Sequence, residues 1–294
     1  MAIWAALGAA LLLGVGFVLQ QQVAERAPEE DTLSWRLFRD LIGQGRWLAG
    51  IAAMICGQIL GAIALGQAGI TVVEPLLTMN VLVALGLASV MSGQALRRSE
   101  WLGALALAAG VTVFVVAAAP QPGHGAHRDR LWLFTGVVVV VSAIVVAVVR
   151  RMAGARRAVG LAAAAGMLYG LQDGFTRRGV LLLTRNPLAL LTTWTPYAIV
   201  SVAVVGLLLA QSAFEAAPLR HSLPVITLAE PAIGVAFGVT VSGDPVRSGA
   251  PLLALQAAAL AAAVAGCVLV TRSAVLADAS PGGGFKKRHR SCPS

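Results

Sequence analysis

Long apolar runs alternate with short polar connectors along nearly the whole chain. Runs long enough to cross a bilayer fall at 2–20, 47–66, 70–92, 101–119, 131–149, 158–176, 188–210, 222–243 and 250–271. At 1.5 Å per residue, about 20 helical residues cover the ~30 Å hydrocarbon layer. The runs are continuous and do not alternate, so they predict helices and not the strands of a barrel. The expected fold class is all-α, a polytopic membrane bundle of about nine transmembrane helices. The sixth run is the most polar, because Asp173, Arg177 and Arg178 interrupt its end. The first run lacks a basic lead-in and outlasts a secretory apolar core of about 7–15 residues, so it is expected to be a retained helix.

The connectors have their own patterns. In the first, Leu33, Leu37, Phe38, Leu41 and Ile42 share one helical face, with Arg36, Arg39 and Asp40 elsewhere. This predicts an amphipathic helix near 32–46 lying on the membrane surface. The segment PQPGHGAHRDR at 120–130 is turn chemistry, and its His124 and His127 have no carboxylate cluster to make a metal site. The tail over 273–294, with SPGGG followed by KKRHR, reads as disordered and basic.

Composition agrees with a lipid solvent. Apolar residues make up 58% of the 294 and charged residues only 12%, about half the ~25% of soluble domains. Net charge is +9. The basic residues lie between apolar runs, so topology explains them and nucleic acid does not. All Lys and Arg fall after odd-numbered runs or in the tail, except Arg128, Arg130, Arg177, Arg178, Arg185 and Arg247. The positive-inside rule then predicts an external N-terminus and a cytoplasmic C-terminus in the cell membrane. Cys56, Cys267 and Cys292 are scattered and odd in number, which argues against a disulfide framework. The first two are expected to be small buried hydrophobes.

The two halves resemble each other. ALGQAGITVVEPLL from Ala64 aligns with AFEAAPLRHSLPVI from Ala213, bringing Pro75 onto Pro224. Just beyond, Gly93, Arg97, Leu102, Ala104 and Leu105 coincide with Gly243, Arg247, Leu252, Ala254 and Leu255. Residues 1–119 are expected to form one repeat and 158–272 the other, with 131–149 a linker span facing lipid. An odd number of crossings separates the two, so they would insert upside down relative to each other, with a binding site near the midplane.

Ionisable and polar groups inside spans are costly and therefore candidates for function, at ~2.5–3.5 kcal/mol per charge on insertion scales. Glu74 and Glu230 each precede a proline, Pro75 and Pro231. With Pro224, these prolines are the expected helix breaks, freeing carbonyls beside a carboxylate. Asp173 has Arg177 one turn on, where an ion pair is an alternative to transport. Gln58, Gln172, Gln211 and Asn80 are candidates to line a path or to bond helices together, as are Gln20 and Gln21. Tyr169 and Trp194 read as interfacial belt residues. No GxSxG, HExxH, Walker A or Rossmann motif is present, so no enzyme and no cofactor are expected.

At these residues the chain resembles the drug/metabolite transporter superfamily (EamA-like), and within it the NIPA-type magnesium transporter branch and its bacterial relatives. The resemblance is carried by GVGFVLQQQVA, ALGQAGITVVEPLLTMNVLVALGLASVMSGQALRRSEWLGALALAAGV, YGLQDGFTRRGV and LLLAQSAFEAAPLRHSLPV. The familiar acidic residue that closes the GE-like turn of EamA repeats is Gln94 in the first copy and Asp244 in the second. The resemblance implies a carrier moving a small solute (metabolite, drug-like cation or divalent cation) by alternating access. The few carboxylates tilt the expected cargo toward an organic solute. A non-transporting scaffold or sensor is the alternative. The expected partners are the solute or ion and the lipid bilayer, with a second copy, as a homodimer, a further candidate.

Overall fold

The computed structural model describes residues 1–26, 35–68, 76–93, 96–118, 128–185, 192–243 and 249–278. Among these the chain is helical, with no strand. The helices are α1 (Ala2–Ala24), α2 (Trp35–Ile42), α3 (Gly45–Ala68), α4 (Asn80–Ser92) and α5 (Arg98–Ala118), followed by α6 (Arg128–Val149), α7 (Gly154–Arg185), α8 (Thr195–Ala216), α9 (Leu219–Thr240) and α10 (Ala250–Asp278). Seven of the described helices are long and apolar enough to cross a membrane: α1, α3, α5, α6, α8, α9 and α10.

Two expected spans take other forms. The run at 70–92 is helical from Asn80 as α4, whose 13 residues cover about 20 Å, less than a bilayer. Residues 69–75, with Glu74 and Pro75, lie outside the described residues. The sixth run continues past Asp173 and Arg178 as the 32-residue α7. Its apolar stretch between Arg157 and Asp173 is shorter than a full crossing.

Three boundaries also differ from the sequence reading. Among the described residues the amphipathic helix is α2, which stops at Ile42 short of the expected 46, with Leu41 buried while Arg36, Arg39 and Asp40 are exposed. α10 continues to Asp278, six residues into the segment expected to be disordered. α9 runs unbroken through Pro224 and Pro231. Each proline removes one donor to the carbonyl four residues back, but neighbouring helices and Thr227, whose hydroxyl donates to the Leu223 carbonyl at 3.0 Å, support the remaining turns.

Packing follows small residues. α1 runs antiparallel to α3, with Gly16 against Gly50 and Met54, and Gly57 against Ala9 and Leu13. α1 runs parallel to α4, through Gly14 against Val83 and Gln22 against Met91. The later helices repeat the arrangement. α7 runs antiparallel to α8, with Tyr169 over Gly206 and Gly179 near Thr195. It runs parallel to α9, through Gly166, Gly170 and Gly174 against Ile226, Ile233 and Phe237. α5 and α10 pair antiparallel along a seam at Gly103, Gly110, Ala259 and Gly266. A Cβ on Gly110 would lie 2.6 Å from the Ala259 carbonyl oxygen, so only glycine permits that approach. α4 ends on Gly93 in the left-handed region at φ 70°, and Gly243, beyond the Val241 cap of α9, lies there too at φ 64°, where a side chain would be strained.

The outer surface is apolar. On α6, Leu133, Val137, Ile144 and Val148 are exposed, while Leu131, Val138, Ser142 and Val149 form one buried stripe. Such a surface is stable against lipid and aggregation-prone in water. Cys56, expected to be buried, is exposed on the outside of α3, whereas Cys267 is buried. In lipid both are apolar environments, so the thiol loses nothing by facing out.

Candidate functional site

α9 touches both halves of the chain. It packs against α7 and α10 of its own half and against α4 and α5 of the other. Glu230 is the twelfth of its 22 residues, about 16 Å from either end and near mid-depth. The carboxylate is half-buried. The Glu230 carbonyl oxygen lies against Gly170 of α7. Pro231 follows at once, and its missing N–H leaves the Thr227 carbonyl without an intrahelical donor. A carboxylate and a free carbonyl on adjacent turns make a hard-oxygen environment suited to a proton or a cation.

Asn80 holds a comparable position in the first half. Its carbonyl oxygen faces Gly14 of α1, as that of Glu230 faces Gly170. The Asn80 Oδ1 is buried with no hydrogen-bond partner among the described residues. The Gln172 Oε1 on α7 is in the same condition. A bare amide oxygen away from water costs about 1–3 kcal/mol, which a bound cation or a water would relieve. Nearby, the Thr78 and Thr112 hydroxyls meet at 2.9 Å, joining the start of α4 to α5.

The other predicted residues separate. Asp173 is exposed, and the Arg177 side chain expected beside it lies outside the described residues. Gln58 is exposed on the face of α3 turned away from α1. Gln211 is fully buried, and its amide nitrogen donates to the Oε1 of Gln20 on α1. Gln20 in turn donates to the Met54 sulfur at 2.7 Å. Phe17 and Phe214 meet edge to face at 6.3 Å beside them. Thus α1 and α8 are bonded across the two halves. Glu74, Pro75, Gln94, Asp244, His124 and His127 lie outside the described residues.

A buried polar band was not singled out as a site by sequence reasoning. Ser212, Glu215, Arg220, His221 and Ser222 are all buried around the α8–α9 turn, at the bundle end where α1 finishes. Gln21 donates to the Glu25 carboxylate at 2.6 Å there. Burial raises the Glu25 pKa above its ordinary value, while the Gln21 hydrogen bond and the Arg26 charge oppose the shift. The one available signal was the density of polar residues in QSAFEAAPLRHS, which looks like an ordinary connector. At the other end, Trp194 was expected in the interfacial belt. It packs against Trp132 and Phe175, with the Arg178 guanidinium 5.5 Å from its ring centroid.

Among the described residues no group of three or more His, Cys, Asp or Glu is arranged to hold a metal. The oxygens at hand are one mid-depth carboxylate, side-chain amides and carbonyls. That set fits a cation that keeps much of its water.

Fold, apolar exterior and buried mid-depth polar groups define a multi-pass helical membrane protein. Residues 1–159 match the family described as Magnesium transporter NIPA, and the chain belongs to that family. It is therefore a membrane transporter by family. An uncharacterized protein of Corynebacterium glutamicum is 28% identical over 250 residues, covering 83% of this chain and 85% of the relative. No solved structure matches.

Proposed function

We propose that the chain is a divalent-cation carrier, with Mg²⁺ as cargo, working by alternating access between two inverted units in the cell membrane. The observation that carries this reading is Glu230. It is a half-buried carboxylate near mid-depth, next to a proline, on the helix that packs against both halves. Asn80 on α4 and Gln172 on α7 add amide oxygens lacking hydrogen bonds, and α9 packs against both helices. Mg²⁺ dehydrates reluctantly and is held by one or two carboxylates while keeping several waters. A site with one carboxylate and several neutral oxygens meets that requirement. This moves the cargo from the organic solute favoured by residue counts to the cation named by the family.

Several features support an inverted repeat. α1 with α3 and α4, and α7 with α8 and α9, share one pattern of parallel and antiparallel contacts. α5 and α10, the last helix of each unit, pair with each other. Gly93, which caps α4, and Gly243, which follows the end of α9, are aligned in the sequence and share the left-handed conformation. Two units of opposite orientation can rock between openings on either side of a midplane site. The basic connectors support an external N-terminus.

The test is uptake by proteoliposomes enclosing a Mg²⁺ indicator. Mg²⁺ entry down a gradient should exceed that of protein-free vesicles. Glu230→Gln should lower it by about tenfold or more at equal protein, since a neutral amide replaces the charged ligand. Movement of an organic cation with no Mg²⁺ entry would overturn the cargo assignment.

A further inference from the structure

The first helices of the two halves match along their length. Ala6, Gly8, Ala10, Gly14, Leu19 and Gln20 of α1 stand at one constant shift from Ala158, Gly160, Ala162, Gly166, Leu171 and Gln172 of α7, with Phe17 opposite Tyr169. Packing keeps the same register. Gly14 faces Asn80 and Val83 on α4, and Gly166 faces Ile226 and Ala229 on α9. The second helices match in the same way. Gln58 on α3 and Gln211 on α8 each follow a buried small residue, Gly57 and Ala210. Gln20 and Gln211 therefore have counterparts in Gln172 and Gln58.

The two pairs are in opposite conditions. Gln20 and Gln211 are 1% and 0% exposed and hydrogen-bonded to each other across α1 and α8. α7 and α3 share no comparable packing among the described residues. Among the described residues the Oε1 atoms of Gln172 and Gln211 are alike in having no hydrogen-bond partner, so what differs is that Gln58 is exposed and makes no bond to Gln172, whereas Gln20 and Gln211 meet. In a molecule of two inverted units, such an asymmetry distinguishes one transport state from the other.

We infer that Gln20–Gln211 and Gln58–Gln172 are alternative latches at opposite ends of the transport path, closed in turn. The inference rests on the inverted-carrier reading and adds the residues that gate it. In this structure the latch at the end where α1 and α8 finish is closed and the opposite latch is open. With the N-terminus outside, that is an outward-facing state. Rocking about the α5–α10 seam breaks one amide pair and makes the other. The exchange swaps one buried hydrogen bond for its equivalent, so the two states stay close in energy, as a carrier requires.

Cross-linking in Mg²⁺-transporting proteoliposomes tests this, in a background with Cys56, Cys267 and Cys292 replaced by serine. One variant carries Gln20→Cys with Gln211→Cys, the other Gln58→Cys with Gln172→Cys. Disulfide formation is read by mass spectrometry of free thiols. Both pairs should cross-link; the Gln20/Gln211 disulfide should stop Mg²⁺ flux and reduction should restore it, which separates gating from misfolding, while the Gln58/Gln172 pair, which removes a proposed ligand oxygen, is read by cross-linking alone. Adding Gln20→Leu to the Gln58/Gln172 pair should raise its cross-linking by about tenfold, the effect of removing one buried hydrogen bond. If a double variant does not fold, Gln58→Cys alone should react several-fold more slowly with a membrane-impermeant thiol reagent once Gln20→Leu is added. A Gln58/Gln172 pair that never cross-links while the reduced Gln20/Gln211 variant carries Mg²⁺, or an unchanged thiol rate, overturns the latches and leaves the carrier reading intact. Absence of Mg²⁺ flux in every form, reduced protein included, overturns both.

Discussion

At the scale of single residues, the cost of burying polarity decides what can be functional. Glu230 and Gln211 are both inside the bundle, but their surroundings differ. The Gln211 amide nitrogen is bonded across the halves, whereas Glu230 is half-buried beside the turn that Pro231 disturbs. Glu25 shows the cost of burial directly, because desolvation raises its carboxyl pKa above the ordinary 4.5. The folded state then holds this proton more tightly than the unfolded state. Stability therefore falls as pH rises through the window just above 4.5 and is greatest below it. Glu25→Gln should flatten that slope in thermal unfolding of the detergent-solubilised protein. An identical slope in variant and wild type would contradict the assignment.

At the scale of helices, small residues set the architecture. The α5–α10 seam depends on glycines whose Cβ positions are already occupied by the partner backbone. Gly110→Leu should lower stability by about 1–3 kcal/mol or more through overpacking, read as a lower thermal midpoint. Gly45, at the start of α3, has open space where a Cβ would stand, with nothing within 4 Å, so Gly45→Ala should leave the midpoint nearly unchanged. Equal effects at both positions would mean that the seam is not close-packed. Helix limits were less legible than helix identity. Pro224 and Pro231 were expected to break α9, but flanking helices hold it together. Charges at the end of α7 did not stop it, because helix propensity and packing outweigh isolated polar residues.

At the scale of the whole molecule, orientation and state are the main issues. The proposed inverted arrangement requires an odd number of crossings, which would put the two ends of the chain on opposite faces of the membrane. Single cysteines introduced at Ala2 and at Ser294, in a background without native cysteines, should react with an impermeant thiol reagent from opposite sides of sealed vesicles. Reaction of both from one side would contradict the span count and, with it, the inverted arrangement.

The sequence by itself determined the class: a chain this apolar, in continuous runs, has to be helical in lipid, because every buried backbone group needs an internal partner. It also carried the family resemblance, since the match over residues 1–159 rests on the order of residues along the chain. It could not say which polar residues meet. Gln58 and Gln211 look alike in sequence, yet one is exposed and the other is bonded to Gln20. Periodicity fixes which face of a helix a residue occupies, but only the packing of one helix against another decides whether that face meets lipid, a partner or the transport path.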